Sequence, residues 1–295
     1  MKVRFAVSVG LGPPDPAQLA EVAQEAEQSG FDTLWMSDLP AMAAAEPGLG
    51  LGYLAAVTTR VRLGGNFIPF GVQPYLFAHR LAQLDRLSGG RLLVTLVPGL
   101  PGADERRVLA TAGRHRGRMM DALVPALRRL WTGEPAGDAG MALPVLPVQQ
   151  PLEIWLGGSG PEALSRAGRL ADGWLGSLLS PAGAEVVRQS IEDEAARAGR
   201  RIDPEHFGLS IAYARRPDDM AHAARLRRAV RPHDDHDDPQ QLVPVGGPGL
   251  RELVGQLVAA GLSKFVVRPL APASSSQQWS DELAWLADTL LDLQT

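Results

Sequence analysis

The chain has 295 residues, with 29 basic and 33 acidic side chains and a formal net charge of −4. This balance, without a basic stripe interleaved with aromatic residues, argues against a nucleic-acid partner. The absence of cysteine excludes disulfides, thiolate catalysis and sulfur-ligated metals, so any redox chemistry must come from a bound cofactor. No apolar stretch approaches the roughly 20 residues needed to cross a bilayer, and we predict a cytoplasmic protein without a membrane partner.

Strand-like and helix-like patterns alternate from the start of the chain. The apolar run after Met1 predicts a first strand. Asp15 and Pro16 are the expected cap and first residue of a helix that stops at Gly30. Two further strand–helix units and one more strand follow. The predicted strands are 31–37, 61–68 and 91–97, and the predicted helices between them are 51–59 and 76–87.

The second half of the chain continues this alternation. A helix with an apolar stripe from Met120 to Trp131 comes first, and Pro125 inside it predicts a kink or a break. A proline-rich connector covers 133–151. The predicted strands after it are 152–156, 173–178, 207–213 and 264–268, and the predicted helices are 180–199, 217–230, 250–258 and 283–291. A charged, proline-containing segment predicts a mobile acidic loop near 231–247.

The strands are continuously apolar rather than alternating, which indicates a parallel sheet covered by helices on its outer face. Eight strand–helix units favour a closed (β/α)8 TIM barrel, and residues 1–295 are predicted to form this single domain. An open, doubly wound sheet is the competing architecture.

A glycine-rich turn follows the strand predicted at 152–156. It consists of Gly157, Gly158, Ser159 and Gly160, and we expect Ser159 and Pro161 to cap and open the next helix. Glycines in such a turn adopt positive φ, and the backbone N–H groups point outward beside the positive end of the helix dipole. The turn therefore suits an anion, most often phosphate. The alternative is a turn that needs glycine for its geometry alone.

Polar residues follow two other strands, and the loops after the strands of a TIM barrel meet on one face. Ser37 and Asp38 end the second strand, and Asp38 is a candidate to accept or donate a proton or to anchor a ligand. Turn capping is its alternative role. Gly64, Gly65 and Asn66 interrupt the third strand, where glycine marks a bulge, a bend or the close approach of a ligand.

The sequence lacks several other catalytic signatures. It has no Gly-x-Ser-x-Gly elbow, no Gly-x-Gly-x-x-Gly and no P-loop lysine. His233 and His236 lie among aspartates in the predicted acidic loop, where nothing fixes a metal geometry, so we predict no metal site. Tryptophans with apolar neighbours are expected to pack in the core: Trp35, Trp131, Trp155 and Trp174.

Four runs of sequence, taken together and in order, resemble the bacterial luciferase-like monooxygenase superfamily. Within it they are most similar to the branch of coenzyme F420-dependent (deazaflavin-dependent) oxidoreductases. The runs are FDTLWMSD at 31–38, LDRLSGGRL at 84–92, WTGE at 131–134, and IWLGGS through RLADGW at 154–174. The resemblance spans most of residues 1–200. It implies an eight-fold α/β barrel that binds a deazaflavin or flavin at the rim where the strands end.

The resemblance also implies roles for particular residues. A bulge at Gly65, Asn66 and Phe67, often with a cis peptide in the family, would back the ring. Asp38 would lie beside the ring and, with Asn66, orient the ring or the substrate. The cofactor phosphate would be held around Gly157, Gly158, Ser159 and Gly160, and the rest of the cofactor site would comprise Ser37, Val97, Pro98 and Gly99. Many relatives have a histidine after the aspartate, where this chain has Leu39.

We therefore expect hydride transfer between coenzyme F420 and a small organic substrate. An FMN-dependent monooxygenase is an alternative on the same fold, and a barrel that binds a cofactor or metabolite without catalysis is another. An unrelated phosphate-binding lyase or isomerase would need a catalytic lysine at the end of a strand, whereas Lys264 lies at the start of one. The sequence leaves a homodimer open as an alternative to a monomer.

Overall fold

Eight parallel strands alternate with helices and form a closed barrel. The computed structural model describes residues 1–12, 15–100, 102–136, 140–228, 242–271 and 273–295. The strands are β1 Arg4–Ser8, β2 Thr33–Ser37, β3 Arg62–Phe67, β4 Leu92–Leu96, β5 Ile154–Leu156, β6 Gly173–Ser177, β7 Phe207–Tyr213 and β8 Lys264–Pro269. The predicted TIM barrel is confirmed, and the open-sheet alternative is wrong.

Each strand pairs in parallel with the next, and β8 pairs with β1 to close the barrel. Side chains alternate along each strand between the inside of the barrel and the surrounding helices. Ala6, Trp35, Leu175 and Val266 come from four strands and contact one another across the interior. The larger core lies between the outer face of the strands and the helices.

The helices surround the barrel. Most end near the predicted residue, but the helices predicted at 51–59, 250–258 and 283–291 begin four to seven residues earlier. The observed helices are α1 Pro16–Ser29, α2 Pro47–Val57, α3 Pro74–Leu87, α4 Ala103–Val108, α5 Arg116–Trp131, α6 Pro161–Leu170, α7 Pro181–Arg197, α8 Gly246–Ala259 and α9 Ser276–Leu290. The Asp15 side chain accepts hydrogen bonds from the first turn of α1, and Gly30 ends that helix with φ 96°. The short α4 is absent from the sequence prediction.

Two predicted helix details are wrong: the break at Pro125 and the cap at Ser159. Helix α5 runs through Pro125 without a break, because the proline lies on the exposed side while the apolar stripe packs inward. Helix α6 is capped by Gly160 rather than Ser159, since Pro161 occupies the first helical position and holds the preceding residue extended.

The predicted helix at 217–230 is a 3-10 segment, Pro217–Arg228. Its first turn is tight: the backbone N–H of Asp219 donates to the Arg216 carbonyl, and the Asp219 carboxylate accepts the Arg216 N–H at 2.9 Å. Most of the predicted acidic loop, with His233 and His236, lies outside the described residues. None of the helices in the described ranges is long and apolar enough to cross a membrane.

Two of the runs that carry the family resemblance hold the amino-terminal end of the barrel together. The Arg91 guanidinium donates to the carbonyls of Ala55 and Val61, each at 3.0 Å. Asp172 accepts the backbone N–H of Ile154 at 2.9 Å and pairs with Arg128 at 2.8 Å. These motifs therefore stabilise the fold at the end of the barrel opposite to the predicted site.

Glu27 fixes the start of β3 through one carboxylate oxygen. This oxygen accepts backbone N–H bonds from Thr59 at 2.9 Å, Arg60 at 2.6 Å and Val61 at 2.9 Å. Burial raises the pKa of Glu27, but these hydrogen bonds outweigh it and lower the pKa from 4.5 to about 2. The ionised carboxylate therefore stabilises the folded chain above pH 4.5, and the stabilisation is lost as the pH falls towards 2.

We expect Glu27→Gln to lower the free energy of unfolding at pH 7 by about 1–2 kcal/mol, because the partly exposed site loses a charged acceptor of three N–H groups. Thermal unfolding between pH 2 and pH 7 measures the effect, which should appear as a fall of about 3 °C in Tm at neutral pH. The difference from wild type should shrink below pH 4.5. Glu21→Gln, on the exposed side of the same helix, is the control, and a difference that does not change with pH would contradict the assignment.

Candidate active site

The carboxy-terminal ends of β2 to β5 lie side by side on one rim of the barrel. Backbone hydrogen bonds link each strand end to the next: Asp38 N–H to Asn66 O at 2.9 Å, Val97 N–H to Phe67 O at 3.0 Å, and Gly157 N–H to Leu96 O at 3.1 Å. The two glycine-containing corners predicted from the sequence, near residues 66 and 158, are therefore on the same edge of the sheet, with β4 between them.

Asn66 presents a polar group to the inside of the barrel at this rim. Its Nδ2 donates to Ser37 Oγ at 3.0 Å. Its Oδ1 is buried and has no hydrogen-bond partner among the described residues. Asp38 lies beside it, and one oxygen of its carboxylate accepts the Ile68 N–H at 3.3 Å. Because buried polar atoms are rarely left unpaired, the Asn66 oxygen is a candidate acceptor for a donor on a bound ligand.

Gly65 and Phe67 face the helices rather than the mouth of the barrel. A Cβ on Gly65 would lie 2.7 Å from the Phe67 ring and 3.2 Å from Leu51 of α2. The predicted bulge is wrong, because β3 pairs in unbroken register with β2 over 62–66 and with β4 over 63–67. The peptide bonds of this segment are trans. Gly65 and Phe67 can therefore contribute to a site only through their backbone.

The glycine turn after β5 has the geometry expected of an anion site. Gly158 has φ 113°, and its carbonyl accepts the Trp174 indole N–H at 2.9 Å, which ties the turn to the core. The backbone N–H groups of Gly158, Ser159 and Gly160 have no acceptor within the described residues. Helix α6 begins immediately afterwards, so its dipole adds positive potential at these N–H groups.

A buried carboxylate that sequence reasoning missed lies beside the loop after β4. Glu105, in the short helix α4, is 4% exposed, and its carboxylate occupies the space that a side chain at Gly99 would need. Arg116 holds this loop by donating to the carbonyls of Pro98 and Leu100, each at 2.7 Å. Arg116 Nη1 also lies 3.8 Å from Glu105 Oε1. Val97, Pro98 and Gly99 are thus half-buried parts of the rim.

Two carboxyl groups at this rim have raised pKa values. Burial raises the pKa of Asp38, opposed by the Ile68 N–H, and the charges of Glu46 and Glu105 raise it further. Burial also raises the pKa of Glu105, although the Leu100 N–H and Arg116 oppose the change. Carboxyl groups shifted in this direction suit general acid–base chemistry. Glu105 was missed because its burial depends on α4, which has no recognisable apolar pattern.

Arg268 places a positive charge on the other side of the barrel mouth. It follows the interior residue Val266 by two positions on β8, so its side chain also faces inward. It is half-buried and forms no ion pair or hydrogen bond within the described part of the chain, and burial lowers the pKa of its guanidinium. An uncompensated cation in such a position favours an anionic ligand.

The family is decided by a match over nearly the whole chain. Residues 1–292 match the luciferase-like monooxygenase family. The chain belongs to this family. The family prediction made from the four sequence runs is thereby confirmed.

Other members of the luciferase-like monooxygenase family share part of this sequence. The chain is 30% identical over 219 residues to a Mycobacterium tuberculosis protein assigned to the coenzyme F420-dependent oxidoreductases, an alignment that covers 67% of this chain and 62% of that protein. It is 26% identical over 223 residues to 5,10-methylenetetrahydromethanopterin reductase of Methanopyrus kandleri, covering 64% and 59%. The chain therefore spans about three fifths of the length of these curated relatives.

A solved structure confirms the fold over the full length. The coenzyme F420-dependent tetrahydromethanopterin reductase from Methanopyrus kandleri superimposes with a TM-score of 0.80 at 18% identity, and the alignment covers 100% of both chains. At this level of identity the likeness shows the barrel architecture alone.

We expect Asp38 and Glu105 to titrate above their usual pKa values of 3.8 and 4.5, because Asp38 is half-buried and Glu105 is buried. Carbon-13 NMR of the carboxyl groups across pH 3–8 measures this. Glu105→Gln should lower the pKa of Asp38 by removing a nearby negative charge, but not below its usual value, since burial is the larger cause. Asp104→Asn, at an exposed neighbour, should leave it unchanged. If neither substitution changed the Asp38 pKa, the charge of Glu105 would not act on Asp38, which would contradict this assignment.

Proposed function

We propose that this protein is an oxidoreductase that transfers a hydride between coenzyme F420 and a small organic substrate. The observation that carries the proposal is that one rim holds three kinds of group. These are the N–H groups of the Gly158 turn and the Asn66 oxygen, which have no partner among the described residues, and two carboxyl groups with raised pKa values. The named relatives support the choice of F420, because one is assigned to the F420-dependent oxidoreductases.

The residues at the rim fit this cofactor. The turn at Gly158, Ser159 and Gly160 would hold an anionic part of it, since these N–H groups lack acceptors within the described residues and glycine leaves room for close approach. Asn66 would orient the ring through its free oxygen. Coenzyme F420 supplies the hydride chemistry when bound, because its ring has carbon where flavin has a reactive nitrogen.

The remaining groups act on protons and on the substrate. Asp38 and Glu105 can each hold a proton at a carboxyl oxygen more readily than an exposed carboxyl group, because burial raises their pKa values. These carboxyl groups would take the proton-transfer role that the family resemblance implies for a histidine after Asp38, where this chain has Leu39. Arg268 would attract an anionic group of the substrate or cofactor to the opposite side of the mouth.

We expect coenzyme F420 to bind the purified protein more tightly than FMN, as measured by fluorescence titration. Gly158→Ala should weaken F420 binding about tenfold, because alanine is strained at φ 113° and its Cβ would lie 3.0 Å from the Cβ of Ala163. Gly255→Ala is the matched control on α8, where an added Cβ meets no atom within 4 Å.

Tighter binding of FMN, with oxygen consumed by the reduced flavin, would support the monooxygenase alternative instead. Tight binding of F420 without turnover over a broad set of substrates would support the non-catalytic alternative. Unchanged F420 affinity in Gly158→Ala would show that the glycine turn does not bind the cofactor.

A further inference from the structure

A cavity of about 270 Å³ opens at the amino-terminal end of the barrel, opposite to the candidate active site. Its wall is made of residues that begin or precede the strands, such as Arg62, Lys264 and Glu153. Its floor includes Trp35 and Leu175 of the interior cluster. The proposed hydride transfer uses no residue at this end.

Glycines on neighbouring strands leave this end of the barrel unfilled. The indole of Trp35 lies against Gly64, and that of Trp155 lies against Gly173, so closely that a Cβ on either glycine would overlap the ring. Each pair is in register across adjacent strands. Bulky branched side chains normally fill a TIM barrel in layers. Here the two rings lie along the wall, and the space between the strands stays open.

The aromatic wall carries a polar atom that lacks a partner. Trp35 is 5% exposed, and its indole N–H has no acceptor in the described ranges. The Trp155 indole N–H, by contrast, donates to Glu153 Oε2 at 3.3 Å. The Trp35 Nε1 atom is buried, so Trp35 contributes its ring rather than its N–H group to the lining of the cavity.

The mouth of the cavity carries excess positive charge. Four cations and three carboxylates line it: Lys2, Arg4, Arg62 and Lys264, with Asp32, Glu153 and Glu205. The carboxylates already have partners within the protein: Asp32 forms an ion pair with Arg4 at 3.2 Å, and Glu205 accepts a hydrogen bond from the Lys2 backbone N–H at 3.0 Å. Arg62 is exposed and forms no ion pair or hydrogen bond through its side chain within the described residues. A negatively charged group would therefore be attracted to Arg62.

We propose that this cavity binds a small aromatic anion whose ring lies against Trp35 and Trp155 and whose acidic group faces Arg62. Aromatic faces stack favourably on indole rings, and a guanidinium forms strong hydrogen bonds with a carboxylate. A volume of about 270 Å³ suits a compact one- or two-ring molecule.

Isothermal titration calorimetry with 6-hydroxy-2-naphthoate tests the proposal. We expect one site per chain and binding at least about tenfold weaker for neutral 2-naphthol, which lacks the carboxylate. Arg62→Gln should weaken naphthoate binding about tenfold. Arg60→Gln removes the same charge from an exposed residue that does not line the cavity, and should bind like wild type.

A second variant tests the interior of the cavity. Ala6 lines the cavity, and Ala6→Leu would fill part of it, so binding should be lost while thermal unfolding shows a folded protein. No heat of binding to wild type up to about 1 mM naphthoate would overturn the proposal. Equal effects of Arg62→Gln and Arg60→Gln, or undiminished binding to folded Ala6→Leu, would also overturn it.

Discussion

Closure of the parallel barrel between β1 and β8 is the constraint on which the site depends. All eight strands run in the same direction, so their carboxyl ends meet at one rim however far apart they lie in the sequence. Asn66 and Gly158 are separated by about ninety residues, yet only β4 stands between their strands. The backbone ladder at that rim positions the side chains, which need not contact one another to act on the same ligand.

The two ends of the barrel differ in how their buried and half-buried charged side chains are paired. At the amino-terminal end, charged side chains such as Glu27, Arg91 and Asp172 are satisfied by backbone groups and hold the strands and helices in place. At the carboxy-terminal rim, Glu105 is buried and Arg268 is half-buried, with few or no partners in the part of the chain that the structure describes. Incompletely paired buried charge is unfavourable for stability, so Glu105 and Arg268 indicate a binding function at this rim.

The architecture could be predicted because eight apolar strands and their caps are local features. Asp15, Gly30 and Ser180 lie where the sequence places them, and β7 has the predicted bounds. The predicted bulge at Asn66 is wrong because the local sequence does not show which side chains lie against the two glycines. Its two preceding glycines make room for neighbouring aromatic rings instead, one inside the barrel and one under α2.

The site was only partly predictable, because some of its residues follow strands directly while others depend on contacts between distant segments. Asp38 and the glycine turn directly follow strands and could be assigned to a rim. Glu105 and Arg268 acquire their character from burial, which depends on packing between segments distant in sequence. Sequence patterns also gave no sign of the amino-terminal cavity, because it arises where Trp35 and Gly64 meet across two strands.

A crystal structure of the protein with coenzyme F420 tests the central claim most directly. The account predicts the deazaflavin ring within hydrogen-bonding distance of Asn66 Oδ1 and the anionic part of the cofactor at the N–H groups of Gly158 to Gly160. Cofactor bound at the amino-terminal mouth, or at the carboxy-terminal rim without contact to either corner, would contradict it.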